Sequence, residues 1–226
     1  MIIFKSQQSM IGQQLSLRLD TKYREFWDQS NNQNSSKFIR VGDIIQQAHI
    51  NKITKQEAEE LDESVLLLDI SVTEPKYGTI ETSLYETDNI GSDKNILSDA
   101  DFIVSKICMS KGYIFNKLDE HKEFIGSTEL IPYMTISKRY SLSILRTVLL
   151  NNKYLEIFRK LETGKTPSQK RVSPFEFMEV RVPEIPQKNQ AVLQGKIEEQ
   201  ESEISELKGQ IAEQRNCMDE MINALL

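Results

Sequence analysis

The pattern of hydrophobic and polar positions divides the chain into two parts. Through residues 37–182, short hydrophobic runs alternate with polar or turn-rich segments. From Gln190 onward, apolar residues instead recur every three or four positions, and no proline interrupts them. The pattern predicts one domain over residues 1–185, followed by a long coiled-coil helix over residues 186–226.

Within the domain, runs of branched and aromatic residues predict short strands, and 3.6-residue spacing predicts helices. The turn residues between the later strands favour a curled sheet of mixed or antiparallel strands over a parallel one. A capping box formed by Thr54 and Glu57 supports one of the helices. The predicted fold class is α+β, with strands at 37–41, 65–72, 102–107, 112–115, 124–126 and 130–136, helices at 21–29, 43–49, 54–61 and 141–161, and a polar loop at 162–173.

The terminal helix carries a heptad seam over about five heptads. The polar residues between the seam positions make its apolar stripe narrow, whereas a helix packed on its own domain usually has an apolar face about 100° wide. Gln200 and Gln214 occupy two d positions, and polar seam residues of this kind set register. We expect pairing with another long helix and keep packing on the chain's own domain as the alternative. The predicted dimerisation residues are Leu193, Ile197, Ile204, Leu207, Ile211, Met218, Met221 and Leu225.

The formal net charge of −6 conceals two regions of opposite sign. From Gln190 onward the sequence contains three basic and eight acidic residues, so the helix is strongly acidic. Residues 138–171 contain nine basic residues and only Glu156 and Glu162 as acidic ones. A basic region on an acidic chain is typical of an anion-binding surface, and the alternative is a solvated helix face.

The sequence lacks the usual patterns of catalytic and metal sites. His49 and His121 have no second ligand at helical spacing, and Cys108 and Cys217 lie far apart without a CxxC motif. Asp69, followed by Glu74 and Lys76, imitates a magnesium nuclease, but Pro75 interrupts the strand that would present the last two. We therefore expect no metal or cofactor site. The absence of a long apolar run or signal peptide, together with unpaired cysteines, predicts a cytoplasmic protein without a membrane partner.

Several degenerate segments follow one another along the chain: 17–23 (LRLDTKY), 97–106 (LSDADFIVSK), the helix at 137–160 with Tyr154 and Leu155, the loop at 164–173 (GKTPSQKRVS), a strand at 175–181 and the helix entry at 182–190 (VPEIPQKNQ). In this order they resemble the target-recognition domains of type I restriction-modification specificity subunits. Each motif is degenerate, but the order is shared from Leu17 to the end of the chain. The chain differs in length, because the usual member has two recognition domains and this chain has one.

The resemblance implies a half-size specificity subunit that catalyses nothing. It would read a DNA half-site and direct methyltransferase and restriction subunits, and self-association through the helix would bring two copies to a bipartite site. Lys and Arg would neutralise phosphates, whereas Gln169 and Arg171 can each form two hydrogen bonds to a base. The candidate residues for binding double-stranded DNA are Lys106, Lys111, Lys138, Arg139, Lys165, Thr166, Ser168, Gln169, Lys170 and Arg171.

Two other interpretations fit the same sequence. In one, the chain is a non-catalytic coiled-coil adapter whose basic segment docks on another protein. In the other, it is a truncated remnant of a full-length specificity subunit, which binds DNA weakly without its other half. The adapter predicts no sequence-dependent DNA binding, so a DNA-binding experiment separates it from the other two hypotheses.

Overall fold

The structure is a computed structural model that describes residues 38–60, 66–68, 70, 76, 82–84, 91–116 and 124–224. The predicted helix at 21–29, the 17–23 motif and Leu225 lie outside these residues. The described part confirms the α+β class. Its strands are β1 (Phe38–Arg40), β2 (Ile45–Gln47), β3 (Lys52–Ile53), β4 (Leu66–Leu68), β5 (Thr82–Leu84), β6 (Lys94–Ile96), β7 (Phe102–Ser105), β8 (Ile114–Asn116), β9 (Phe124–Ser127), β10 (Leu130–Thr135) and β11 (Arg181–Pro183), and its helices are α1 (Lys55–Glu59), α2 (Leu142–Leu149), α3 (Asn152–Leu161), α4 (Pro174–Glu179) and α5 (Gln187–Asn223).

The prediction of a curled sheet is wrong for the described strands. They form separate sheets of two strands (β1-β11), four strands (β2-β10-β7-β8) and five strands (β3-β6-β9-β4-β5). Strand pairing is antiparallel except that β4 runs parallel to β9, so the directions are mixed or antiparallel as expected. The sheets stack because β7 and β10, the central strands of the four-stranded sheet, are apolar on both faces. Each face of that sheet therefore needs a covering layer.

Strand β7 shows how the layers meet. Phe102 and Val104 point into a cluster that includes α2, α3 and α4, whereas Ile103 points into a second cluster with residues of β4 and β9. Successive strand residues face opposite sides of a sheet. The four-stranded sheet is therefore the middle layer, with the helices on one face and the five-stranded sheet on the other.

The predicted single helix at 141–161 is two helices, α2 and α3. The chain turns at Asn151, whose side chain accepts a hydrogen bond from the Lys153 backbone N–H at 3.0 Å. Asparagine is a preferred N-cap, and it starts α3 in a new direction. The change lets Leu149, Leu150 and Leu155 all reach the core, where each is buried.

Two predicted elements have the wrong type. The strand expected at 175–181 is mostly α4, because Ser173 and Glu176 form a capping box behind Pro174. The helix expected at 43–49 is a 3-10 turn followed by β2, since Ile44 and Ile45 are buried and Ile45 pairs with β10. By contrast, the Thr54–Glu57 capping box is confirmed, with a Thr54 N–H to Glu57 Oε2 distance of 2.8 Å.

Candidate nucleic-acid interface

The loop between α3 and α4 is closed at its base by backbone pairing. The N–H of Thr163 donates to the carbonyl of Arg171, and the N–H of Arg171 donates back, each at 2.8 Å. Gly164 follows with φ of +151°, and a Cβ there would collide with the Gln169 carbonyl oxygen. Only glycine fits this close approach of two backbone segments. The loop therefore has a defined shape despite its polar sequence.

The same loop is fastened to the segment that leaves β7. The Val172 N–H donates to the Lys106 carbonyl, and the Cys108 N–H donates to the Lys170 carbonyl, both at 2.9 Å. Cys108 has a left-handed backbone with φ of +49°, which starts the 3-10 turn at Met109–Lys111. Lys106 and Lys111 are thus brought beside a loop about 60 residues later in the chain.

Glu129, in the turn between β9 and β10, holds the two segments together. Its carboxylate accepts from Arg171 Nε at 3.0 Å and from Arg171 Nη2 at 2.9 Å, and it lies 3.8 Å from Lys106 Nζ. Hydrogen bonding and charge from Glu129 raise the pKa of Arg171 above its usual value. Arg171 Nη1 also donates to the Gln169 carbonyl at 3.0 Å. Three of the five guanidinium donors are therefore engaged within the protein.

The remaining candidate groups of the loop face solvent. The stretch from Lys165 to Gln169 is exposed, and Pro167–Gln169 forms a 3-10 turn. Lys111 is also exposed. We call this set the basic loop surface: Lys106, Lys111, Lys165, Thr166, Ser168, Gln169, Lys170 and Arg171.

Lys138 and Arg139 do not belong to that surface. Lys106 follows the end of β7, which pairs with the start of β10, whereas Lys138 comes after the end of β10. The six residues of β10 span roughly 20 Å. The two cations are exposed beside the beginning of α5, at the opposite end of the middle sheet.

Two other arginines of the basic segment have carboxylate partners. Arg146 Nη1 lies 2.9 Å from Glu201 of α5, and Arg159 pairs with Glu156 on α3. The Arg146–Glu201 pair joins the domain to the terminal helix. Part of the positive charge of residues 138–171 is therefore paired within the protein.

The first part of α5 packs on the domain. Gln190 is 6% exposed; its Oε1 accepts from the Ser141 N–H at 2.9 Å, and its Nε2 donates to the carbonyls of Arg139 and Ile185 at 2.6 and 2.7 Å. Ile197 packs partly against the helical core cluster. Together with the Arg146–Glu201 pair, these contacts dock the helix as far as Glu201. Packing on the chain's own domain thus holds for this part of the helix, and it includes one predicted dimerisation residue, Ile197.

Beyond Glu201, the seam is exposed in the described structure. Roughly 33 Å of helix remain at about 1.5 Å per residue. Ile211, for example, is 52% exposed. The other exposed seam residues are Ile204, Leu207, Met218 and Met221, and Leu193 lies at the edge of the docked region.

The sequence missed two residues that organise these surfaces. Glu129 gave no signal because its partner Arg171 lies 42 positions away. The sequence places Gln190 in the helix-entry motif, but its three hydrogen bonds depend on the turn at Arg139, which no local pattern brings near it.

The described residues hold neither a metal-binding cluster nor a membrane-spanning helix. They contain no group of three or more His, Cys, Asp or Glu side chains placed to hold a metal ion. None of the helices in the described part of the chain has the length and apolar character that crossing a bilayer requires. His121, Asp69 and Glu74 lie outside the described residues.

No protein-family model matches the chain, and no curated protein matches it significantly.

Proposed function

We propose that this chain is a non-catalytic DNA-specificity subunit of a type I restriction-modification system, which reads one half-site with the basic loop surface. The observation that carries the proposal is the ordered loop from Thr163 to Arg171, exposed and rich in donors, fastened beside Lys106. The sequence resemblance supplies the family, and the geometry supplies a surface of suitable chemistry.

The chemistry of the basic loop surface suits a duplex. Lys165 and Lys170 supply positive charge for phosphates, which dominate the affinity of DNA-binding proteins. The exposed amide of Gln169 can donate to and accept from adenine in the major groove. Because the loop is closed at Thr163 and Arg171, the backbone that carries these groups needs little ordering on binding, so less backbone entropy is lost.

A second copy of the chain is the proposed partner of the exposed seam on α5. The stripe is narrow, and the surrounding residues are charged, as in a helix that pairs with another helix. Pairing gives two recognition domains on one two-fold particle, which suits a bipartite DNA site. The acidic outer faces would repel DNA and remain free for methyltransferase and restriction subunits.

The test is a binding titration against a randomised duplex pool at several salt concentrations, followed by sequencing of the bound fraction. We expect log K to fall linearly with log salt and a sequence to be enriched. Lys165→Ala should weaken binding to all sequences and reduce the salt slope by about one. Arg171→Ala should relax base preference, either through a lost base contact or through loss of the loop shape that Arg171 supports.

Arg159→Ala is the matched control, because it removes the same charge from the basic segment but lies on α3, outside the basic loop surface. It should leave base preference unchanged. Equal losses on enriched and random duplexes from both Lys165→Ala and Arg171→Ala would refute the division between phosphate and base contacts. No binding of any duplex by the unmodified chain would overturn the proposed function and favour the adapter interpretation.

A further inference from the structure

Glu129 is a carboxylate placed inside the basic loop surface. Its backbone is fixed on both sides, since its N–H donates to Ser127 Oγ at 3.2 Å and its carbonyl accepts from the Lys106 N–H at 2.9 Å. Its side chain is only 21% exposed, against 42% for Arg171. The carboxylate is therefore a built part of the surface, whereas the Glu156–Arg159 pair is exposed on both sides.

We infer that Glu129 is a specificity-determining positioning residue, which keeps Lys106 and Arg171 from binding DNA phosphates indiscriminately. The inference rests on the proposed function and deepens it. The Nε and Nη2 donors of Arg171, which Glu129 occupies, form the fork that also matches a phosphate. A phosphate must displace the carboxylate or approach a negative charge, and either event costs free energy on any DNA sequence.

The same contact leaves part of Arg171 available to a base. Two of its five N–H groups are outside the contacts made with Glu129 and the Gln169 carbonyl. Glu129 thereby fixes the plane of the Arg171 guanidinium and, through Arg171, the position of the loop. Base contacts of Arg171 that require this geometry remain possible, whereas phosphate contacts that do not depend on sequence become less favourable. The ratio of the affinity for the specific sequence to that for random DNA therefore rises.

Glu129→Gln tests the inference because it keeps the size of the side chain and one acceptor while it removes the charge. On a random duplex at low salt we expect binding to tighten by about tenfold and the salt slope to steepen by about one, as for one additional phosphate contact. The preference for the sequence enriched by the unmodified chain should fall by about tenfold. Fluorescence anisotropy with both duplexes over a salt series measures all three quantities.

Two controls separate the inference from simpler effects. Glu156→Gln removes the same charge and releases Arg159 from the same basic segment, and we expect less than a twofold change in each quantity. Glu129→Asp keeps the negative charge, and we expect random binding to stay weak. The salt slope is informative because distortion of the loop alone would not increase the number of phosphate contacts.

The possible outcomes are distinct. Equal gains in random binding for Glu129→Gln and Glu156→Gln, or equal gains for Glu129→Gln and Glu129→Asp, overturn the inference. Unchanged random binding in Glu129→Gln also overturns it. If the unmodified chain binds no duplex, the proposed function fails. Duplex binding that appears only in Glu129→Gln would then still support the restraining role of Glu129. If Glu129→Gln also binds no duplex, the inference about Glu129 is overturned together with the proposed function.

Discussion

Burial where α3 meets β11 changes the acid–base behaviour of Tyr154. Its hydroxyl donates to the Arg181 carbonyl at 3.2 Å, and burial raises its pKa to about 12. An unfolded tyrosine ionises near pH 10. The higher pKa in the folded state means that the un-ionised hydroxyl stabilises the folded state. This contribution is fully present below about pH 10 and is lost as the pH rises toward 12.

Tyr154→Phe should have opposite consequences at the two ends of this pH range. At pH 7 it removes one buried hydrogen bond and should lower the free energy of unfolding by about 1 kcal/mol. Above pH 10 the variant should lose stability less steeply than the unmodified chain, because phenylalanine cannot ionise. Urea denaturation at pH 7, 10 and 11 measures both effects, and parallel declines of the two proteins would contradict the prediction.

At the scale of residues, the sequence predicts types of groups better than their partners. Lys165, Gln169 and Arg171 were found as a donor-rich loop, and the structure shows them in one ordered segment. Their relation to Glu129 depends on the tertiary pairing of two distant segments, which no local pattern encodes. The charged stretch 138–171 groups Lys138 and Arg139 with this loop in the sequence. In the structure, the length of β10 separates these two residues from the basic loop surface.

At the scale of elements, Gln190 is the residue that sets how α5 leaves the domain. Gln190→Ala would leave the Ser141 N–H and the carbonyls of Arg139 and Ile185 without their partner. Unsatisfied buried groups cost about 1–3 kcal/mol each, and water entering the gap recovers part of this. We expect the free energy of unfolding to fall by about 2–4 kcal/mol in chemical denaturation.

Gln210→Ala is the control for this prediction. Gln210 is an exposed glutamine on the same helix, off the a and d positions of the seam, and in the described structure it bonds only to the neighbouring Glu206, at 3.4 Å. Its loss should change the stability by less than about 0.5 kcal/mol. Similar losses in the two variants would mean that Gln190 contributes by helix propensity alone and does not fix the helix to the domain.

Element types were predictable where local signals agreed and failed where tertiary burial decided. The Thr54–Glu57 box and the run at β7 carry unambiguous capping and apolar signals. At α4, alternating Phe175 and Phe177 suggested a strand, but the cap at Ser173 and packing of Phe177 against Tyr133 and Phe158 favour a helix. The break at Asn151 was missed because the apolar spacing continues through it.

At the scale of the whole molecule, the docking of α5 changes how its pairing is best tested. A chain that ends at Pro186 loses the exposed seam and also Gln190, so its domain loses a buried hydrogen-bonding partner. A chain that ends at Ser202 keeps the docked part of the helix as far as Glu201 and removes the exposed seam. A change of mass in the second truncation can therefore be assigned to the seam.

Ile211→Glu makes the same test without truncation. In a two-fold pair it places two like charges within the apolar seam, and desolvation of unpaired charge strongly disfavours association. We expect the unmodified chain to have the mass of a dimer by light scattering and Ile211→Glu to have that of a monomer over the same concentrations. Ala212→Glu is the control, because it adds the same charge one position along the helix, on an exposed face off the seam, and the variant should remain dimeric. Monomers in all three proteins would assign the exposed seam to a different partner and remove the two-fold arrangement from the proposed function.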